Sequence, residues 1–197
     1  MLSKTHIAVG TAGALTIFQP QTINLACPVI VGGIVGSVIC DIDCKARDSK
    51  DAFLGRIIAG MVSAVGVLID VVYGGPIIIY LRENSIVKLV TGVLILFATG
   101  CFARESEHRV FSHSLLAFIL YATGLFLCCR PLTYPFVIGY ASHLFLDVLT
   151  YRPVHLFYPC QEGVSMKLCK SKSRANVIIM VLGFLWLVGI VGYLLLH

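Results

Sequence analysis

Residues 176–196 read NVIIMVLGFLWLVGIVGYLLL, without one Asp, Glu, Lys or Arg. A helix of about 20 apolar residues is long enough to cross the hydrocarbon core of a bilayer. Further apolar runs precede this one at approximately 6–19, 24–40, 54–73, 85–103, 113–129 and 132–150. The pattern predicts an all-α fold, a polytopic transmembrane bundle of about six to seven membrane helices.

The composition supports the same class of protein. Of the 197 residues, 58% are hydrophobic and 13% are charged, and the mean hydropathy is +0.92. A soluble domain is nearer half apolar and a quarter charged. We therefore expect one membrane-embedded helical domain over residues 1–197, with the first run kept as a helix rather than cleaved as a signal peptide.

Two stretches depart from the simple spanning pattern. The run 6–19 is short for a full crossing, so it either tilts or enters the membrane only partway. Residues 74–81 are apolar but broken by Gly75 and Pro76, which favours a loop or an interfacial segment. Near the end of the third run, Asp70 is expected to make a local hydrogen bond.

The distribution of Lys and Arg predicts the orientation. With seven spans and the N-terminus inside, twelve of the 15 Lys and Arg residues lie on the cytoplasmic side. The three on the other side are Arg82, Lys88 and Arg130. The charge thus needs no nucleic-acid partner, and the basic residues at 167–174 are expected to contact anionic lipid headgroups. We predict a multi-pass protein of the cytoplasmic (inner) membrane.

The eight cysteines predict no disulfide framework, because most lie inside apolar runs, where Cys behaves as a small apolar residue. Thiolate ligation of a metal by Cys44 is a less favoured alternative to that role. The chain has no nucleophile-elbow, P-loop or dinucleotide-binding motif.

The few His and Asp residues fall at one membrane face in this topology. Because ionisable groups in a membrane cost several kcal/mol unless they are paired or bound, they indicate a functional site. They lie at the start of the first run, at the end of the second, before the fifth and late in the sixth. They are His6, Asp41, Asp43, His108, Arg109, His113, His143 and Asp147.

The sequence spacing within each pair of these residues indicates whether both side chains could bind the same metal ion. His143 and Asp147 are four residues apart and so share one face of a helix. His108 and His113 lie about 140° apart on a continuous helix, and they converge only if Ser112 caps the helix and leaves His108 in the loop before it. For each pair taken alone, a structural hydrogen-bonding role remains the alternative.

Taken together, the groups form a donor set that suits Zn²⁺ first, with Mn²⁺ or Fe²⁺ as alternatives, and one or two ions. Such a site can activate a water molecule for ester hydrolysis.

Four sequence blocks resemble the YdjM-like bacterial inner-membrane metal-dependent hydrolases. The chain shows an N-terminal histidine at His6, the Asp-x-Asp element at 41–43, the sequence HRVFSHS at 108–114 and GYASHLFLDVLT at 139–150. Val110 stands where the family has Gly, and Cys40 where it has Pro. The resemblance implies a metal-dependent hydrolase with metal ligands at His6, Asp41, Asp43, His113, His143 and Asp147.

The resemblance and the residues lead to one preferred function. We expect a metal-dependent hydrolase of a phosphoester or another lipid-associated ester, in which His108 is a further ligand or the general acid/base and Arg109 holds an anionic group of the substrate. Membrane lipids are the expected partners, and the oligomeric state stays open. The alternatives are a metal or proton transporter and a non-catalytic membrane scaffold or stress protein.

Overall fold

The computed structural model describes residues 1–44, 50–170 and 173–196, and these are helical for most of their length. Lys45, Arg47, Lys172 and His197 lie outside the described residues. The α-helices are, in chain order, α1 Ser3–Phe18, α2 Ile23–Ile39, α3 Lys50–Tyr73, α4 Pro76–Glu83, α5 Ile86–Glu105, α6 Leu115–Cys128, α7 Arg130–Val148 and α8 Arg174–Leu196.

Each of the seven apolar runs coincides with a helix, and so the expectation of an all-helical chain is confirmed. Within the described ranges, four segments are long and apolar enough to cross a membrane by length and composition. These segments are Ile23–Asp43, Lys50–Tyr73, Ile86–Glu105 and Arg174–Leu196. Helix α6 is also apolar, but it has only 14 residues.

Exposure follows the pattern of a membrane protein. Large apolar side chains cover the outside of α3, α5 and α8; Leu68 is 62% exposed, Phe97 69% and Leu195 81%. Most of the aspartates and histidines, in contrast, face the interior, where His113 and His143 are both 0% exposed. Lipid, rather than water, is the solvent that such an apolar exterior suits.

The break at Gly75 and Pro76 begins a short helix, α4, rather than a loop. Proline fits the first turn of a helix because its missing N–H has no partner there in any case. Asp70, fully buried at the end of α3, accepts hydrogen bonds from the backbone N–H of Ile77 (3.1 Å) and Ile78 (2.9 Å). Asp70 therefore makes the expected local hydrogen bonds, which cap the start of α4.

Helices α2 and α7 pack through glycine. A Cβ atom added at Gly32 would lie 2.6 Å from the carbonyl oxygen of Leu132. At Gly36 the added Cβ would overlap the backbone oxygen of Phe136, and at Gly139 that of Gly33. Small residues let two membrane helices approach to backbone contact. This contact brings the C-terminal part of α7 against the end of α2.

This packing predicts the effect of a one-carbon change. We expect Gly36→Ala to lower the free energy of unfolding by about 1–3 kcal/mol, because backbone atoms of α7 must shift to admit the methyl group. The measurement is reversible unfolding in mixed micelles. Gly60→Ala on α3 is the matched control, since a Cβ there meets nothing within 4 Å. Equal stability of the two variants would contradict the close α2–α7 contact.

Candidate functional site

Histidines and aspartates from separate parts of the chain meet at one end of the bundle. They come from α1, from a 3-10 turn after α2 (Cys40–Asp43), from the connection between α5 and α6, and from the last turns of α7. We call this group the His–Asp cluster; its members are His6, Asp41, Asp43, His108, His113, His143 and Asp147. Arg109 lies beside it. The structure thus brings every residue of the sequence-predicted site to one place.

Four donor atoms form the centre of the cluster. The Nε2 atom of His113 lies 3.3 Å from Nε2 of His143, 3.5 Å from Oδ2 of Asp147 and 3.8 Å from Oδ1 of Asp41. Nε2 of His143 lies 3.9 Å from both of these carboxylate oxygens. Ligands about 2.1 Å from a tetrahedral ion are about 3.4 Å apart. The four atoms therefore have nearly the spacing of a coordination shell.

The hydrogen bond at Nδ1 of each imidazole sets the tautomer of the neutral ring, because a proton on Nδ1 leaves Nε2, which faces the centre, without one. Nδ1 of His143 lies 2.7 Å from the carbonyl oxygen of Ser37, which can only accept. The hydroxyl of Ser112 contacts Asp43 as a donor, so it accepts from Nδ1 of His113 at 2.8 Å. In their neutral forms both rings present bare Nε2 atoms to each other and to two carboxylates, an arrangement that either a bound cation or a proton on one of the rings would stabilise.

His6 extends the cluster along α1. Its ring stacks on His143 with a centroid separation of 3.8 Å, and its Nε2 lies 3.3 Å from Oδ1 of Asp147. The amino group of Met1 contacts the same carboxylate oxygen. Nδ1 of His6 is buried and has no hydrogen-bond partner among the described residues.

Ligand atoms of two triads lie within 4.8 Å of one another and could each hold a metal ion. One triad is His6, His143 and Asp147, and the other is Asp41, His108 and His113. Asp43 belongs to neither triad. Nitrogen and carboxylate donors of this kind suit Zn²⁺, Mn²⁺ and Fe²⁺, so the residues fit the metal that the sequence blocks imply.

Asp43 faces the two histidines of the α5–α6 connection rather than the centre. Its Oδ1 lies 2.8 Å from Nδ1 of His108, and its Oδ2 accepts from the backbone N–H of Arg109 at 3.2 Å and from the hydroxyl of Ser112. The side chain of His108 is 34% exposed, whereas that of Asp43 is fully buried. Asp43 therefore orients His108, and supports His113 through Ser112.

The expected cap at Ser112 is wrong in its position. The side chain of Ser114 caps α6 by accepting from the backbone N–H of Ala117 at 3.1 Å. His113 lies in a 3-10 turn (Phe111–His113) before that helix, and His108 in the loop that precedes the turn. The convergence of the two histidines, which the cap was meant to explain, is real: their ring centroids are 5.3 Å apart.

The guanidinium group of Arg109 is already engaged inside the protein. One terminal nitrogen lies 2.9 Å from Oδ2 of Asp147, and the other donates to Thr150 (2.9 Å) and to the carbonyl oxygen of Arg152 (3.0 Å). Arg109 is 7% exposed and adopts a left-handed backbone conformation with φ of 71°. These contacts make Arg109 the partner that neutralises and orients Asp147.

A cavity of about 880 Å³ opens beside the cluster. Its buried side includes Asp41, Asp43, His108, Arg109 and Asp147. Its mouth includes Lys50, Asp51, Tyr151, Arg152 and Lys170. A volume of this size is in the range of about 300–1,000 Å³ that small-molecule sites occupy.

Sequence reasoning did not find several residues that hold the site. The carbonyl oxygen of Ser37 orients His143, the hydroxyl of Tyr140 donates to the carbonyl oxygen of Ser112 (2.6 Å), and Arg56 donates to the carbonyl oxygens of Asp41 and Cys44. Tyr140 lies in the block 139–150 and could have been singled out there. Ser37 and Arg56 act on backbone atoms, and no motif marks them.

The described fold and site define a helical integral membrane protein with a buried His–Asp cluster at one end. A family model described as YdjM inner membrane protein matches residues 1–196. The chain therefore belongs to the YdjM inner membrane protein family, as the sequence blocks predicted. No curated protein and no solved structure matches the chain.

The Arg109–Asp147 pair predicts a specific loss of stability. Arg109→Gln should lower the free energy of unfolding by about 3–5 kcal/mol, because it leaves a buried carboxylate without its partner. Arg109→Lys should recover only part of this, since an ammonium group cannot reach Asp147 and Thr150 together. The exposed Arg104→Gln is the control. Denaturant unfolding in micelles measures all three, and equal losses for Arg109→Gln and Arg104→Gln would contradict the role of the pair.

Proposed function

We propose that the protein is a membrane-bound metal-dependent hydrolase that acts on a phosphoester at the cytoplasmic face of the inner membrane. The proposal includes the finer topology: six to seven spans, with the N-terminus and the His–Asp cluster on the cytoplasmic side. The observation that carries it is the pair of imidazole Nε2 atoms, 3.3 Å apart, facing two carboxylate oxygens at nearly the spacing of metal ligands.

A divalent ion is the positive charge that this arrangement suits best. One ion would be held by His113, His143, Asp41 and Asp147. His6, whose Nε2 lies 3.3 Å from Asp147, is a further donor for that ion. A second ion would bind near Asp41 and His108. A bound divalent ion supplies a water molecule of lowered pKa and polarises a phosphoryl oxygen. Zn²⁺ is the first candidate, and Mn²⁺ and Fe²⁺ share the same ligand preferences.

The protein's own groups would handle the proton. Asp43 holds Nδ1 of His108, which leaves the partly exposed Nε2 to take a proton from the attacking water. Hydrolysis adds the oxygen of that water to phosphorus and breaks the bond from phosphorus to the alcohol oxygen. His108 then returns the proton to the departing alkoxide. Arg109 keeps Asp147 in place throughout.

The location of the ionisable groups favours an enzyme over a transporter. Among the described residues, the His and Asp side chains that could relay a proton or ion are concentrated at one end of the bundle. Asp70 at the other end is committed to the start of α4. A transport path needs such groups through the membrane depth. Metal flux into proteoliposomes is the result that would favour the transporter instead.

Metal content tests the proposal directly. Protein purified without chelator should hold about one or two equivalents of a transition metal, measured by elemental analysis, and a double variant Asp41→Asn, His143→Ala should lose it. The control is Glu83→Gln with Glu162→Gln, which removes two exposed carboxylates outside the cluster. A native protein that is folded, metal-free and indifferent to added Zn²⁺ would refute the proposal and favour a structural network.

Catalysis by His108 gives a separate test. His108→Gln should lower the turnover of a chromogenic phosphate ester by about 10²–10⁴-fold, which is the usual contribution of a general acid or base, while the ion held by His113 and His143 remains. Glu83→Gln is the control, since that exposed carboxylate lies at the end of α4 and outside the cluster. Unchanged turnover in His108→Gln would exclude the proton-transfer role, and a halved metal content would instead make His108 a ligand of a second ion.

A further inference from the structure

The mouth of the cavity carries three exposed cations from two parts of the chain. Lys50 stands at the start of α3, and Arg152 and Lys170 belong to the connection between α7 and α8. None of the three forms an ion pair within the ranges 1–44, 50–170 and 173–196. We call Lys50, Arg152 and Lys170 the basic rim. Among the described residues at the mouth, the acid is Asp51, whose carboxylate accepts from the backbone N–H of Ser3 at 2.6 Å.

Charge at the two ends of the cavity is unequal. At the buried end, the carboxylates Asp41, Asp43 and Asp147 are offset by Arg109 and by the divalent ion of the proposed function. Among the described residues at the mouth, three cations face the carboxylate of Asp51, which leaves a positive excess within that set. Because a cavity with low-dielectric walls concentrates the field of the charges that line it, an anion is drawn in past the rim.

The basic rim differs from the surface lysines that only orient the chain in the membrane. Lys167 is exposed on the same connection but does not line the cavity, whereas Lys170 does and lies 6.0 Å from the ring centroid of Tyr151. Lys88 is likewise exposed and lies far along the chain on α5. Position at the cavity, rather than charge alone, marks Lys170, Arg152 and Lys50.

Arg109 does not bind the incoming anion, although arginine is a residue type that suits anion binding. Two of its nitrogens are taken by Asp147, Thr150 and a backbone carbonyl. Its Nε atom is buried and therefore does not face the open cavity. Among the described side chains that line the cavity, the positive charges without an ion pair are those of the basic rim.

We propose that the basic rim binds the phosphoryl group of the substrate, which is therefore an anionic phosphate ester and not a neutral carboxylic ester. This rests on the proposed function for the hydrolytic step, but binding at the rim does not need the metal. The rim then sets specificity by charge: it captures the anionic phosphate at the mouth of the cavity whose buried side is the His–Asp cluster.

The surroundings of the rim suit a phosphate carried on a lipid. The α7–α8 connection exposes apolar side chains beside its basic ones: Tyr151 is 51% exposed, Phe157 59% and Leu168 69%. Such a mixture of aromatic, aliphatic and basic residues is typical of the headgroup region of a bilayer. A soluble phosphate ester has the same charged group and is the alternative source.

The experiment compares phosphate binding to the full-length protein in micelles. The rim variant is Lys50→Gln, Arg152→Gln, Lys170→Gln, and the matched control is Arg82→Gln, Lys88→Gln, Lys167→Gln, which removes the same charge away from the cavity. The probes are a short-chain phosphatidate, glycerol phosphate, inorganic phosphate and, as the uncharged lipid, a short-chain diacylglycerol. Titration calorimetry is run on metal-loaded and on chelator-treated protein.

We expect the rim variant to bind phosphatidate about tenfold or more weakly than the native and control proteins, with a shallower dependence on salt and an unchanged metal content. Preference for phosphatidate over glycerol phosphate identifies the lipid as the source, and equal binding identifies the soluble ester. Native affinity in the rim variant, or an equal loss in the control, would overturn the proposal. Rim-dependent binding by a native protein that holds no metal when purified without chelator and takes up no added Zn²⁺ would keep the rim and refute the hydrolase.

Discussion

Three carboxylates buried among imidazoles, at the end of an apolar bundle, are the constraint on which the rest of the structure depends. A buried carboxylate is strongly unfavourable unless it is paired and hydrogen-bonded. Asp147 meets this condition through Arg109 and His6, and Asp43 through His108 and Ser112. Asp41 has the hydroxyl of Ser3 at 3.3 Å and two imidazoles at nearly 4 Å. It is the least compensated of the three, and it faces the bare nitrogens of His113 and His143.

Helix packing and chemistry are linked through α2 and α7. The two backbones touch at Gly33, Gly36 and Gly139. Ser37, the residue after Gly36, accepts at its carbonyl oxygen from Nδ1 of His143. If the helices moved apart, this hydrogen bond would lengthen and the tautomer of His143 would no longer be imposed. The glycine contact thus does more than stabilise the bundle, because it decides which ring nitrogen faces the cluster.

The sequence predicted which ionisable side chains lie together at one end of the bundle, since that depends on local spacing and topology. The interval of four between His143 and Asp147 places both on one face of α7, and alternation of the helices brings His6, Asp41 and His113 to the same end. The sequence did not predict partners that depend on tertiary contact. No local pattern indicates that Arg109 pairs with Asp147, or that Arg56 binds the carbonyl oxygens of the turn after α2. The short helix α4 was missed because its Gly-Pro start is also the signal for a loop.

Arg109 and the basic rim are assigned different roles because Arg109 is buried and the rim residues are exposed. Arg109 is 7% exposed and hydrogen-bonded to three groups. If it turned towards each incoming ligand, the buried carboxylate of Asp147 would lose its guanidinium partner. Exposed side chains such as Lys50 and Arg152 have no such commitment within the described chain, and they can follow a ligand at small cost. In the proposed function, a rigid interior would hold the reacting atoms in fixed geometry, and an adaptable mouth would accept phosphate esters of different size.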